Sequence, residues 1–281
     1  MTGPARGALA ALLVLAILAI VVPSLHPADP LAIGDVAGAR LVAPMARDAA
    51  GGLHALGTDR FGRDIVVRML LAARISLAVG IVGSLLATLV GIVVGAASGW
   101  WHGLVDRAAM ALCDTLLAVP RLILLLLCAT LWRPGMTTVV VVLALTGWMS
   151  VARLVRGEVR GLRTRAFVEG ARAAGASEWR VLWRHVLPNA LGPAIVALTL
   201  GVGNAILLES GLAFLGLGIQ PPTPSWGNMI AGGRDLIVTA PWVALAPGVA
   251  LIATVLACTV LGDALRDSLA GEGAGHLGER T

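Results

Sequence analysis

The sequence predicts an all-α membrane protein with six transmembrane helices, and three observations point there. Of 281 residues, 58% are hydrophobic and 13% charged, against about 45–50% and about 25% in soluble domains. Long runs without charge recur along the chain, each near the twenty apolar residues that a spanning helix needs. The arginines concentrate between two of those runs.

The first run covers residues 7–22 and follows Arg6. No small-x-small cleavage site follows Val22, where the chain continues Pro23-Ser24-Leu25-His26-Pro27, so it reads as a retained anchor rather than a signal peptide. The other runs cover residues 75–99, 108–131, 136–154, 191–214 and 239–261. Between the fourth and fifth, residues 153–184 hold eight Arg and three Glu, a net charge of +5. The positive-inside rule places this segment in the cytoplasm, and with six spans both termini as well. The loop after the first span and the segment 215–238 then face outward. Arg40, Arg47, Arg60, Arg63, Arg68 and Arg74 in that first loop oppose the rule. Their charge is nearly matched by Asp29, Asp35, Asp48, Asp59 and Asp64.

Composition excludes several chemistries. All 21 basic residues are Arg, so there is no Walker lysine for a nucleotide phosphate and no Schiff-base lysine. Tyr is absent. Cys113, Cys128 and Cys258 sit apart in apolar runs and read as small buried hydrophobes. His26, His54, His102, His185 and His276 have no metal-ligand spacing. No catalytic triad order and no HExxH motif is present. The formal charge of +5 reflects cytoplasmic arginine beside an anionic leaflet rather than nucleic-acid binding.

The segment from Phe167 to Asn189 divides at Gly175. Ala171, Ala173 and Ala174 are small helix formers, and Gly175 suits a helix end with positive φ. Ser177 then caps a second helix with Glu178 in its first turn. Trp179, Leu182, Trp183 and Val186 fall on one helical face, and Pro188 interrupts the helix before the fifth span. Two short helices with an amphipathic second one fit either a headgroup-level helix or a protein-docking element.

The residues Glu169-x-Ala171-x₃-Gly175, followed by Leu187-Pro188, resemble the coupling motif of bacterial ABC-importer permeases, with Gly170 in place of the usual first alanine. Two further segments narrow the resemblance to the second (C-type) permease of dipeptide, oligopeptide and nickel importers. One is Leu56-Gly57-Thr58-Asp59-Arg60-Phe61-Gly62-Arg63-Asp64. The other runs from Glu209 through Pro221, Pro222 and Pro224 to Trp226-Gly227-Asn228, with Gly211 and Ala213 departing from the usual Ala and Ser. Asp106-Arg107 and Asp114-x₅-Pro120 match as well. The resemblance implies a type I ABC-importer fold with a cytoplasmic coupling-helix loop. It implies a non-catalytic subunit forming half of a pathway for peptides or a related small solute. It also implies a homologous second permease, two ATPase subunits that carry the ATP and Mg, and an extracytoplasmic binding protein. Within that frame residues 1–74 are an anchor helix with its external loop, 75–267 the permease core and 268–281 a cytoplasmic tail.

Residue by residue, the external motif suits a turn-rich loop in which Arg60 and Arg63 pair with Asp59 and Asp64 or meet an acidic partner. The prolines forbid a continuous helix after the fifth span, giving either a scoop over the outer mouth or a rigid connector. Charges at membrane depth face protein or water. Asp114 and Arg121, seven residues apart, lie on nearly one helical face. They either meet the two termini of a peptide or tie helices together. Asn204 and Glu209 fall on opposing faces of the fifth span, with Glu209 structural or gating. The competing reading is a stand-alone ion-coupled transporter, a class that often shows repeated halves; no repeat is visible.

Overall fold

The computed structural model describes residues 3–25 and 36–278, with side chains as far as residue 269. His26, Asp29 and Asp35 lie outside the described residues. The elements in order are α1 (Gly3–Leu25), α2 (Val36–Ala39), β1 (Ala46–Arg47), β2 (Leu53–His54), α3 (Ile65–Trp100), α4 (Leu104–Ala118) and α5 (Arg121–Thr130). There follow α6 (Met136–Arg163), α7 (Ala166–Ala173), α8 (Glu178–Val181), a π turn (Leu182–Val186), α9 (Leu187–Phe214), α10 (Trp226–Gly233) and α11 (Trp242–Gly278). Among the described residues five helical stretches are long and apolar enough to cross a membrane, and α4 with α5 make a sixth if the bent pair counts as one span.

That bend corrects one expectation. The 108–131 run is not one helix: α4 and α5 meet at 94°, because Val119 and the Pro120 cap leave helical geometry and proline cannot donate to the preceding turn. Helical phase is lost across the break, so Asp114 and Arg121 do not share a face. Asp114 bonds Arg153 of α6 at the surface instead.

Helix α3 starts ten residues before its apolar run. Asp64 Oδ1 accepts the N–H groups of Val66 at 2.8 Å and Val67 at 3.2 Å, a cap that satisfies two of the orphan donors of the first turn. Arg68 and Arg74, read from sequence as loop residues, therefore lie in the helix. Arg74 has a specific task there. Pro23 removes the N–H that would bond the Ala19 carbonyl, and the Arg74 guanidinium donates to that carbonyl, to Ile20 O at 2.6 Å and to Ser24 Oγ at 2.8 Å. This ties α1 to α3.

The centre of the bundle is α3 packed along α6. Gly83, Ala87, Gly91, Gly95 and Gly99 recur every four residues on α3, and Leu143, Gly147, Val151, Val155 and Val159 do so on α6. The two rows are in contact. A Cβ on Gly91 would stand 2.6 Å from Val151 Cβ, one on Gly95 2.5 Å from the Ala152 carbonyl oxygen, and one on Gly99 2.9 Å from Val159 Cβ. Small residues at this spacing let helix backbones approach where no hydrophobic force between helices is available. Helix α9 closes the third side through Val79, Leu143, Ala205 and Leu212.

Candidate functional site

The arginine-rich connection between α6 and α9 stands on a buried root. Val168 of α7, Val181 of α8, and Leu182 and Val186 of the π turn pack with Trp100 at the end of α3 and Val155 and Val159 of α6. The tip is exposed: Glu169, Gly170, Ala173, Ala174 and Gly175 face solvent and Ala171 is half-buried. Gly175 has φ +83°, its N–H bonds Arg172 O at 2.9 Å, and the Ala176 N–H reaches back to Ala171 O at 3.1 Å, a glycine-ended helix closure. Ser177 caps α8, and Arg172 holds Glu178 at 2.8 Å.

Two expectations for this segment are corrected. The apolar face splits: Leu182 and Val186 are buried, whereas Trp179 is 58% and Trp183 47% exposed. The i→i+5 bonding of a π turn shifts the helical phase, so Val181 takes the inward place. Trp179 stacks on Trp101 at 5.5 Å and meets Trp183 at 5.6 Å. Pro188 does not break the helix. It lies in the first turn of α9, where its missing N–H has little consequence; Leu187 before it is buried.

Beside this root lies a hub whose pairing sequence reasoning missed, Asp106 having been noted only for its resemblance to the family pattern. Asp106 of α4, only 7% exposed, accepts from Arg156 Nη2 at 3.0 Å and Arg160 Nη2 at 2.6 Å. The bonds fasten α4 to the end of α6. The signal available beforehand was the i, i+4 pair Arg156 and Arg160, but nothing local names Asp106 as their partner.

Between α3, α5, α6 and α9 lies a cavity of about 320 Å³. Ser84, Thr88, Ser150 and Asn204 supply polar groups, Gly83, Gly147 and Gly201 keep it open, and Arg121 reaches in from α5. Of the four intramembrane candidates, the structure brings Arg121 and Asn204 to this one cavity and places Asp114 and Glu209 elsewhere. Glu209 turns away, fully buried. Its Oε1 accepts the Ser225 hydroxyl at 2.8 Å, and its Oε2 has no hydrogen-bond partner among the described residues. Ser225 and Asn228 form a capping box that starts α10. Asn228 Nδ2 also holds Ile219 O at 3.1 Å and Thr223 O at 2.8 Å. Trp226, fully buried, donates its indole N–H to Met69 O at 3.1 Å and its backbone N–H to Ser76 Oγ at 3.1 Å. The proline segment thus folds back as a short helix clamped to α3 and α9.

At the same end the 56–64 motif forms a tight knot. Gly57 has φ +78°, and a Cβ there would stand 2.5 Å from Val42 O and 2.9 Å from the Trp242 indole nitrogen. Thr58, fully buried, accepts the Val42 N–H at 2.8 Å. Gly62, with φ +71°, turns the chain so that Arg63 meets Asp59 at 2.7 Å. Arg60 bonds Gly232 O at 3.1 Å rather than a carboxylate, joining the motif to α10. Asp64 caps α3 with one oxygen and meets His54 Nδ1 at 2.7 Å with the other, while His54 Nε2 lies 3.2 Å from Asp48.

Burial works against charge on His54, but the hydrogen bonds to Asp64 and Asp48 outweigh it and raise its pKa above the usual value. The Gly52 N–H and then His54 lower that of Asp48. A raised histidine pKa contributes stability that is complete below the unfolded value of about 6.5 and is lost as pH rises through the folded value. The lowered Asp48 acts in the opposite sense, its contribution present above the ordinary carboxylate range and lost as pH falls through its folded value. Hydrogen exchange of residues 46–58, corrected for intrinsic rates, should therefore be faster at pH 9 than at pH 6, and His54→Ala should abolish the difference. Equal protection in the native protein at both values would refute it.

Residues 87–271 match the family described as the binding-protein-dependent transport system inner membrane component. The chain belongs to that family. It is a permease subunit of an ABC importer and a multi-pass inner-membrane protein. It is 42% identical to the glutathione transport system permease protein GsiD of Pectobacterium atrosepticum over 77% of this chain and 72% of that protein. It is 38% identical to the oligopeptide transport system permease protein OppC of Bacillus subtilis over 77% of this chain and 71% of that one. The fold is also that of a permease chain in the inward-facing MetNI methionine ABC transporter, with a TM-score of 0.58 at 19% identity, covering 71% of this chain and 95% of that chain. These relatives favour the permease over the ion-coupled alternative.

Proposed function

We propose that this permease carries peptides or a related small solute through the cavity that Arg121 and Asn204 line, and that the exposed tip at Glu169, Gly170, Ala171 and Gly175 docks in an ATPase subunit. The observation that carries the reading is the mechanical continuity of the loop. Its tip is free, while its root packs on α3 and α6, and those two helices wall the cavity. A docked tip that changes partners' spacing would move the cavity walls as a body, because differential contact in two ATPase states is what couples the sites. The names of the relatives support a peptide-like cargo.

In this reading the arginine-rich end and both termini are cytoplasmic, as positive-inside counting favours. The knot of Gly57, Thr58, Asp59, Gly62, Arg63 and Asp64 and the α10 scoop with Glu209 beneath it then face the extracytoplasmic binding protein. A second permease supplies the other half of the pathway, two ATPase subunits hold ATP and Mg, and this chain does no chemistry of its own. Residues 1–74, 75–267 and 268–281 serve as anchor with loop, core and tail.

Affinity purification from detergent tests the docking. The native chain should bring down an ATPase and a second permease. Glu169→Arg, which reverses charge at a solvent-facing position without an ion pair among the described residues, should lose the ATPase by about tenfold and keep the permease. Full recovery of the ATPase with the variant would sink the docking assignment.

A further inference from the structure

The central cavity carries a charge with no counter-charge among the described residues. Arg121 is its only ionisable lining residue among the described residues. Its Nε is buried without a hydrogen-bond partner among the described residues. Asp114, the nearest acidic residue in sequence, is taken by Arg153. The guanidinium is also built into place. Along the α6 row Leu143, Gly147, Val151, Val155 and Val159, the only glycine is Gly147. A Cβ there would stand 2.9 Å from Ala87 Cβ of α3 and 3.2 Å from Arg121 Nη2. The gap in the row therefore admits both the close approach of α3 and the arginine head. The Pro120 break is what lets α5 turn its first residue into the space between α3, α6 and α9.

An unneutralised arginine between spanning helices is costly and persists where it faces a cavity or a partner charge. The groups around it are hydroxyls of Ser84, Thr88 and Ser150 and the amide of Asn204. Together with a guanidinium they make a donor-rich lining suited to an anion, for which arginine offers a planar fork. The same lining offers an ammonium or a metal cation no carboxylate and one repelling charge.

We propose that the pathway selects solutes bearing a free carboxylate and disfavours cationic ones, and that Arg121 is the residue that does so. This rests on the reading of the cavity as the pathway.

The test uses the whole reconstituted importer in proteoliposomes, with its binding protein, ATP and a defined mixture of short peptides. Each peptide is present as free acid and as C-terminal amide. Accumulated peptides are measured by mass spectrometry, and the acid-to-amide ratio is divided by the ratio held on the binding protein. With one binding protein throughout, its own preference cancels. Arg121→Gln should lower this normalised ratio about tenfold, the size of one lost ionic hydrogen bond. Arg121→Lys should keep most of it. Asn204→Asp, which adds a carboxylate to the cavity and leaves Arg121 in place, should lower it to a similar extent. An unchanged ratio in Arg121→Gln and Asn204→Asp, with transport intact, overturns the proposal and leaves the transport reading standing. If Arg121→Gln does not assemble, Asn204→Asp alone decides. A native complex that accumulates neither form overturns both.

Discussion

Gly95→Leu is expected to abolish folded protein in the membrane. The backbones of α3 and α6 meet at Gly95, where even a single added carbon would lie 2.5 Å from the Ala152 carbonyl oxygen and 2.9 Å from Val155 Cβ. Neither neighbour can swing away, since one is main chain and the other a branched residue at a fixed rotamer. The helices must separate, and they would take with them the Gly91–Val151 and Gly99–Val159 contacts on either side. Overpacking of this kind costs about 3 kcal/mol at one site, a large part of the total stability of a domain. Monodisperse protein recovered in detergent should fall at least about tenfold. Gly161→Leu is the matched control. Gly161 belongs to the same α6 helix, but no atom would stand within 4 Å of its added carbon, so yield should be unchanged. Equal yields for both variants would show that the glycine row does not hold these helices together.

Gly175→Pro should leave the protein in the membrane and disconnect ATP hydrolysis from transport. Proline requires φ near −65°, whereas Gly175 sits at +83°. Proline also removes the N–H that bonds Arg172 O. The turn between α7 and α8 would open and displace Glu169 and Gly170 from their present relation to Ser177. Stability should change little, because the tip is exposed and no atom lies within 4 Å of a Cβ at Gly175, while the root residues Val168, Val181 and Val186 remain packed. The expected result is transport lowered at least tenfold, about 1.4 kcal/mol or more in the coupling free energy, with ATPase activity no longer answering to the loaded binding protein. Gly175→Asn, which tolerates positive φ, should retain most of the coupling. Native transport in the proline variant would refute the role of this turn.

How much of this was legible beforehand depends on range. The Gly175 turn and the Ser177 cap depend on four or five neighbouring residues and came out as read. So did the turns of the 56–64 knot and its Arg63–Asp59 pair, which act within a few residues of each other, but not Arg60, which bonds the distant Gly232 carbonyl. The π turn did not, because a pure 3.6-residue period put Trp179 and Trp183 on one face with Leu182 and Val186, which the structure separates. Asp64 as the cap of α3 was hidden by reading a long apolar run as the whole helix. The glycine row on α3 is visible as a four-residue spacing, but its partner row on α6 lies about sixty residues away in sequence, and no local rule pairs them. Arg74 illustrates the same limit. It looks like one more loop charge until Pro23, fifty-one residues earlier, leaves a carbonyl for it to satisfy.

The sequence by itself determined that this is a helical membrane protein, and the permease reading came from the resemblance of its motifs to a known family. Apolar run length, arginine placement and the Glu169–Gly175 spacing are one-dimensional properties, and membrane insertion and helix capping act on such properties directly. Only the tertiary structure decided which charges meet. The broken helix at Pro120 sends Asp114 to Arg153 and leaves Arg121 alone in the cavity with Asn204. Asp106 gathers two arginines from another helix, and Glu209 is sealed under α10. A charge buried among helices finds its partner by where helix axes cross, and that crossing is set by small-residue contacts spread over the whole bundle rather than by the sequence around the charge.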